Sequence, residues 1–272
     1  MKTVVVVGLG FMGGSLAAAL KASGNTPKVL GIEPNQTSAQ FAVTHGLVDE
    51  VVSEVPDDAD LIALCVPSDK VVAWVLELES HAATIVDIGS VKGHIVRKIS
   101  GRVGDLPQNF VPCHPIAGSE KSGPEAADPK LFEDCTVVMT PTGATSSAAV
   151  DAANTLWHEL GAKTVALTAD VHDQMLAATS HLPHLLAFAF MQQIQDGHLD
   201  FAGGGFRDFT RIAAANSELW WRIFQLNREE LLAAVEQFSA DLTGLVTAIS
   251  DGDEDIGIKK IRTAVATRKA FD

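Results

Sequence analysis

Up to residue 168, short apolar runs alternate with segments whose apolar residues return every three or four positions. The runs at 3–7, 28–32, 61–66, 84–88, 110–113, 136–139 and 164–167 have the length of buried strands, whereas 15–22, 37–45 and 148–160 carry helical spacing. Such alternation predicts an α/β fold built on a doubly wound sheet. Past Asp170 the strand-like runs stop, and Ala/Leu/Glu/Gln-rich helical segments continue to the end, broken at Gly203-Gly204-Gly205. The expected division is therefore an α/β domain over residues 1–168 and an all-α domain over residues 169–272. Within the latter, Leu231, Val235, Phe238, Leu242, Leu245 and Ile249 fall on one stripe. That stripe suits a helix buried in its own domain or a seam between two copies. A helical domain with so few turns buries little alone, which favours the homodimer.

Composition narrows the partners. With 272 residues, 47% apolar and 20% charged, the chain has the make-up of a folded globular protein with room for two domains. A formal charge of −14 argues against nucleic acid or an anionic membrane surface as a partner, and makes any arginine in a pocket informative. No apolar run approaches the roughly 20 residues of a bilayer span. The apolar stretch at residues 4–7 is too short for a signal peptide and runs into a Gly-rich turn. Cys65, Cys113 and Cys135 have neither disulfide nor metal spacing and read as buried free thiols of a reducing compartment. A cytoplasmic protein is expected.

Gly8-Leu9-Gly10-Phe11-Met12-Gly13 matches G-x-G-x-x-G, directly after the first strand-like run and directly before a helical one. The first glycine permits the tight turn, the second lets backbone approach a pyrophosphate, and the third packs helix on strand. The backbone N–H groups at Phe11 and Met12 open the helix whose N-terminus would face the phosphates. Glu33 ends the second strand-like run, 20 residues beyond Gly13. A carboxylate there accepts hydrogen bonds from ribose hydroxyls and repels a 2′-phosphate. With no Arg or Lys in Pro34-Asn35-Gln36, NAD is expected over NADP. Val66-Pro67-Ser68 ends the 61–66 run at the same edge and is expected to line the cofactor's path. Tyrosine is absent, which removes the short-chain dehydrogenases, whose proton relay is a Tyr–Lys pair.

The substrate end follows from two more strand ends. Ser90, in Asp87-Ile88-Gly89-Ser90-Val91-Lys92, fits an N-cap for the next helix, a hydroxyl that holds a substrate oxygen, or both together. His114 is expected at the C-terminal end of the next strand, where open parallel sheets bind ligands. There its imidazole can take a hydroxyl proton while the carbon beneath loses hydride. In the helical half, His181 and His184 lack a third metal ligand, so no metal site is expected. Pro183 between them should bend the helix. Arg207 and Arg211 share a helix face after the triple glycine and read either as a solvated patch or as a carboxylate pocket.

Five segments, GLGFMGG, DIGSVK, HPIAGSEKSG, SHLPH and GGGFRDFTRIA, occur in this order along the chain. Together they resemble the prephenate/arogenate dehydrogenase family of tyrosine biosynthesis, also called cyclohexadienyl dehydrogenases. The resemblance implies a Rossmann domain followed by a helical dimerisation domain, and a small dicarboxylate substrate. The implied reaction is an NAD-dependent oxidative decarboxylation, giving 4-hydroxyphenylpyruvate from prephenate or tyrosine from arogenate. Carried onto this chain, His114 is the base, Ser90 bonds the same hydroxyl, and Arg211 binds a carboxylate. His184, Ser119 and Arg207 line the pocket, with Trp220 or Trp221 closing it across a dimer interface. Glu120 either holds arogenate's ammonium group or pairs with Lys121 in solvent. No regulatory module is expected, so tyrosine would act at the active site, as a weak competitor at most. Two other readings are weaker. A β-hydroxyacid dehydrogenase needs a lysine in the helical half, and residues 169–227 contain none. An NAD-sensing regulator has no need of Ser90, His114 and Arg211 together.

Overall fold

The computed structural model describes residues 1–118 and 121–271. Strands β1 (Thr3–Val7), β2 (Lys28–Ile32), β3 (Glu50–Val51), β4 (Leu61–Leu64), β5 (Thr84–Asp87) and β6 (Phe110–Val111) form one parallel sheet in the order β3-β2-β1-β4-β5-β6. Helices α1 (Phe11–Ala22), α2 (Gln36–Thr44), α3 (Ser68–Glu77) and α4 (Gly93–Val103) join successive strands. Alternation along β1 explains why both faces are covered. Val4 and Val6 pack with Leu16, Phe132 and Trp157, while Val5 and Val7 pack with Val71, Val75, Ile95 and Ile99. The strand order reverses between β1 and β4, so a crevice opens at their C-terminal ends.

A second, three-stranded sheet departs from the sequence expectation of a single sheet. β7 (Cys113–Pro115) pairs antiparallel with β8 (Thr136–Met139), which runs parallel to β9 (Lys163–Ala166), with α5 (Ser147–Glu159) between the last two. The expected strand at 110–113 is thus broken at Pro112. The cause lies in two contacts distant along the chain: the Cys113 N–H donates to the Asp87 carboxylate (3.1 Å), and the Pro112 carbonyl accepts from Thr140 N (2.8 Å). With its donor taken by a side chain, the backbone peels away from β5. The short edge strand β3 has too few residues to leave a periodic signal.

Helices follow. α6 (Ala169–Leu176) runs through a π turn, Ala177–His181, into α7 (Leu182–Met191). Pro183 lacks an N–H, and the widened turn just ahead of it absorbs the missing bond without breaking the helix. α8 (Gly204–Thr210), a 3₁₀ turn at Arg211–Ala214, and α9 (Ser217–Leu226) complete a compact unit spanning Met1–Asn227. α10 (Arg228–Asp251) and α11 (Glu254–Lys269) form a second unit. On α10, Leu231 is buried, but Leu242 is 48% and Ile249 78% exposed, so this chain alone leaves part of the stripe uncovered. No described helix is long and apolar enough to cross a membrane. Of the three free thiols only Cys113 is fully buried; Cys65 and Cys135 are half-buried, which corrects the expectation for those two.

Candidate active site

The fingerprint glycines divide the labour as their positions require. Gly8 sits at φ +91°, and a Cβ there would meet the Cys65 carbonyl oxygen at 2.6 Å. A Cβ on Gly13 would overlap the Gly8 carbonyl, whereas one on Gly10 meets nothing within 4 Å. Gly10 is the N-cap of α1, which has no side-chain cap and no acidic residue in its first turn, so its N–H groups stay open to an anion. Glu33 accepts from Leu9 N (2.8 Å) with one oxygen and from Asn35 N (2.9 Å) with the other, tying the end of β2 to the loop. An open Gly10 face, an uncapped helix N-terminus and a pinned carboxylate are what a dinucleotide with free ribose hydroxyls fits.

Other strand ends close in on the same edge. Ser68, at the start of α3, lies against Gly89: a Cβ on Gly89 would meet the Ser68 hydroxyl at 2.6 Å. Pro67 precedes α3 as its N-cap, and Val66 is half-buried. The segment after β7 is anchored beside the fingerprint, because Asp128 N donates to the Ser15 hydroxyl (3.0 Å), which donates to Phe11 O (2.7 Å). Met12 packs on the core.

His114 lies within β7, opposite Val138, not at the end of a parallel strand as expected. Its half-buried ring bonds through Nδ1 to His172 Nε2 (2.8 Å). His172, fully buried on α6, bonds through Nδ1 to Asp173 Oδ1 (2.7 Å). Asp173 in turn accepts from Lys92 N (2.9 Å) and Gly93 N (2.8 Å) at the start of α4. This settles one alternative left open for Ser90. The N-cap is Lys92, and a carboxylate from α6 satisfies the helix end, so Ser90 does not cap it. Ser90 lies half-buried after β5 and makes no hydrogen bond to His114.

Below this chain sits a buried ion pair. Lys92, wholly inaccessible, donates through Nζ to Asp87 and to Cys113 O (2.7 Å), and Asp87 also accepts from Gly89 N (2.8 Å). Desolvation is the main cause that holds the His114 pKa well below the usual imidazole range, and the neighbouring His172, Lys92 and His181 push it the same way. Burial pushes Asp173 up, but bonds from His172 and from the backbone of Lys92 and Gly93 outweigh it and leave the carboxyl below its ordinary value.

The helical side carries a second cluster of histidines. Asn227 Nδ2 donates to Asp173 O (2.9 Å) and meets His181 Nδ1 (3.0 Å). Burial lowers the His181 pKa to about 4. His184 donates from Nδ1 to Ser180 O (2.9 Å) and stacks on Trp220 at 3.5 Å, and its pKa is lowered chiefly by burial, with Arg211 adding a smaller depression. Trp220 therefore lies on its own chain's histidine, while Trp221 is 65% exposed. Arg207 and Arg211 are both exposed on this single chain. Ser119 and Glu120 lie outside the described residues. Sequence reasoning missed His172, Asp173, Asn227 and Lys92. A His-Asp pair opening a helix and a lysine inside an otherwise apolar motif were the only signals.

Residues 16–166 match the family described as prephenate dehydrogenase, nucleotide-binding domain, and residues 168–263 match prephenate dehydrogenase, dimerization domain. This chain belongs to the prephenate dehydrogenase family. It is 32% identical to a cyclohexadienyl dehydrogenase of Zymomonas mobilis, over 99% of this chain and 96% of that one. Prephenate dehydrogenase of Aquifex aeolicus, solved with hydroxyphenyl propionate and NAD+, superposes with a TM-score of 0.91 at 33% identity, covering 100% of this chain and 99% of the other. Arogenate dehydrogenase of Synechocystis gives 0.83 at 29% identity, over 99% and 100%. As a family member, the chain is an NAD-dependent oxidoreductase of the tyrosine pathway.

Proposed function

We propose that the enzyme prefers prephenate, accepts arogenate less well, and acts as a homodimer built through residues 169–272, with residues 1–168 as the cofactor domain. Bound NAD supplies the hydride acceptor for the ring carbon that bears the hydroxyl. His114 Nε2 takes the hydroxyl proton, Ser90 holds the same oxygen, and Arg211 binds a substrate carboxylate, with His184, Arg207 and Ser119 around it. Carbon dioxide then leaves because the ring becomes aromatic, so the protein needs only to orient the substrate and accept one proton. The observation that carries this reading is the half-buried His114, its pKa lowered by burial, joined through His172 and Asp173 to the helices that bear His181 and His184.

Glu33, already fixed by two backbone donors, favours NAD over NADP by repelling a 2′-phosphate. A cytoplasmic location accords with three unpaired cysteines. NADH formation followed by absorbance tests the proposal. Turnover is expected with prephenate, less with arogenate, and none with β-hydroxyacids. A higher kcat/KM for arogenate would reverse the substrate order, and a preference for NADP would remove the role given to Glu33.

A further inference from the structure

The chain of bonds behind His114 has a direction. Asp173 is an acceptor at both oxygens, since the N–H groups of Lys92 and Gly93 already point at them. A carboxylate so placed can face only a donor at His172 Nδ1. For His114 to offer Nε2 as the base, its single N–H must lie at Nδ1 and donate to a bare Nε2 on His172. A neutral imidazole has one N–H, so the remaining nitrogen of His114, Nε2, is left as an acceptor.

We propose that His172 and Asp173 are positioning residues that fix His114 as its Nδ1–H tautomer and so keep Nε2 bare toward the substrate hydroxyl. Asp173 has two tasks, because the same carboxylate caps α4, the helix that follows the Ser90 turn. The orientation of the base and the position of that turn are thereby set by one group. When Nε2 takes the substrate proton, the His114 ring becomes an imidazolium whose Nδ1–H stays on His172. Asp173, two bonds away, offsets the new charge, and neither His172 nor Asp173 changes protonation. Among the described residues, the other charged or titratable groups around the ring are Lys92, whose ammonium is paired with Asp87, and His181, whose Nδ1 meets the Asn227 amide. This inference rests on His114 being the base, and it adds what makes that ring a base.

The test has two independent parts. Nitrogen-15 NMR of the full chain labelled at histidine, with NAD bound and near pH 8, reads the tautomers directly, and a His114→Gln variant assigns the signal. Protonated Nδ1 with unprotonated Nε2 on His114 is expected. The opposite tautomer, which an imidazolium at position 172 would impose, overturns the proposal. In the second part, His172→Leu removes the acceptor, while His172→Gln keeps an oxygen near the Nε2 position. The leucine variant should lose about 10²–10⁴-fold in kcat with KM for both substrates within about threefold, and the glutamine variant should recover much of that loss. A leucine variant that binds NAD and keeps wild-type kcat overturns the role. If the leucine variant does not fold, the glutamine variant and the wild-type spectrum still decide. Unchanged kcat in His114→Gln would instead remove the base assignment itself, whatever the tautomer.

Discussion

At the scale of single residues, burial decides which groups carry charge. His181 is 1% exposed, and its pKa lies at about 4 against 6.5 for a free ring. Between those values the unfolded chain holds a proton that the folded one refuses, so stability is complete above about pH 6.5 and falls as the pH drops towards 4. The shift corresponds to on the order of 3 kcal/mol, and His114 acts in the same direction. Urea midpoints measured between pH 7 and pH 4.5 should decline, and His181→Gln should flatten that decline. Separate kinetic signatures are expected from the proposed base and the proposed carboxylate ligand. His114→Asn should lower kcat by about 10²–10⁴-fold with NAD affinity intact. Arg211→Ala should act on KM, weakening substrate binding by about 2–5 kcal/mol; an unchanged KM would take Arg211 out of the pocket.

At the scale of elements, two junctions matter. In the β1–α1 turn the glycines do different things, so their alanine variants should part company. Gly13→Ala drives a methyl into the Gly8 carbonyl and should unfold the turn, lowering the melting temperature. Gly10→Ala meets no protein atom and should leave the melting temperature unchanged, yet weaken NAD binding by at least about tenfold, because the methyl would stand in the proposed path of the pyrophosphate. Calorimetry of unfolding and of NAD binding separates the two. The other junction is where the end of β5 meets the start of β7, held by the Lys92–Asp87 pair. Replacing a buried pair wholesale is often harmless, but removing one partner strands a charge. Lys92→Met should therefore cost about 3–5 kcal/mol of unfolding free energy in denaturant titrations, and Lys92→Met combined with Asp87→Leu less than that.

At the scale of the whole molecule, the helical end presents more apolar surface than a single chain covers. Leu242, Val246 and Ile249 on α10 and Ile256, Ile261 and Val265 on α11 are exposed. A stripe of this kind on neighbouring helices is what a second copy buries, in keeping with the dimerization-domain match over residues 168–263. Sedimentation should find a dimer at micromolar concentration, and Leu242→Glu with Ile249→Glu should shift it to monomer. Wild-type sedimentation after that double substitution would place the interface elsewhere.

Sequence by itself determined the alternation of strands and helices, the fingerprint turn, Glu33 at the end of β2 and the identity of His114 as a candidate base. Those features are local: a period of apolar residues, a glycine spacing, or a residue type at a strand end is written in neighbouring positions. It mistook the strand bearing His114, because a side chain 26 residues away, Asp87, takes the Cys113 N–H and redirects the backbone. It could not find His172 and Asp173, whose importance lies in meeting residues 58 and 81 positions distant. Only tertiary structure decides such a chain, because a tautomer depends on which donors and acceptors face a ring, and that is fixed by packing between elements and not by the order of residues within them.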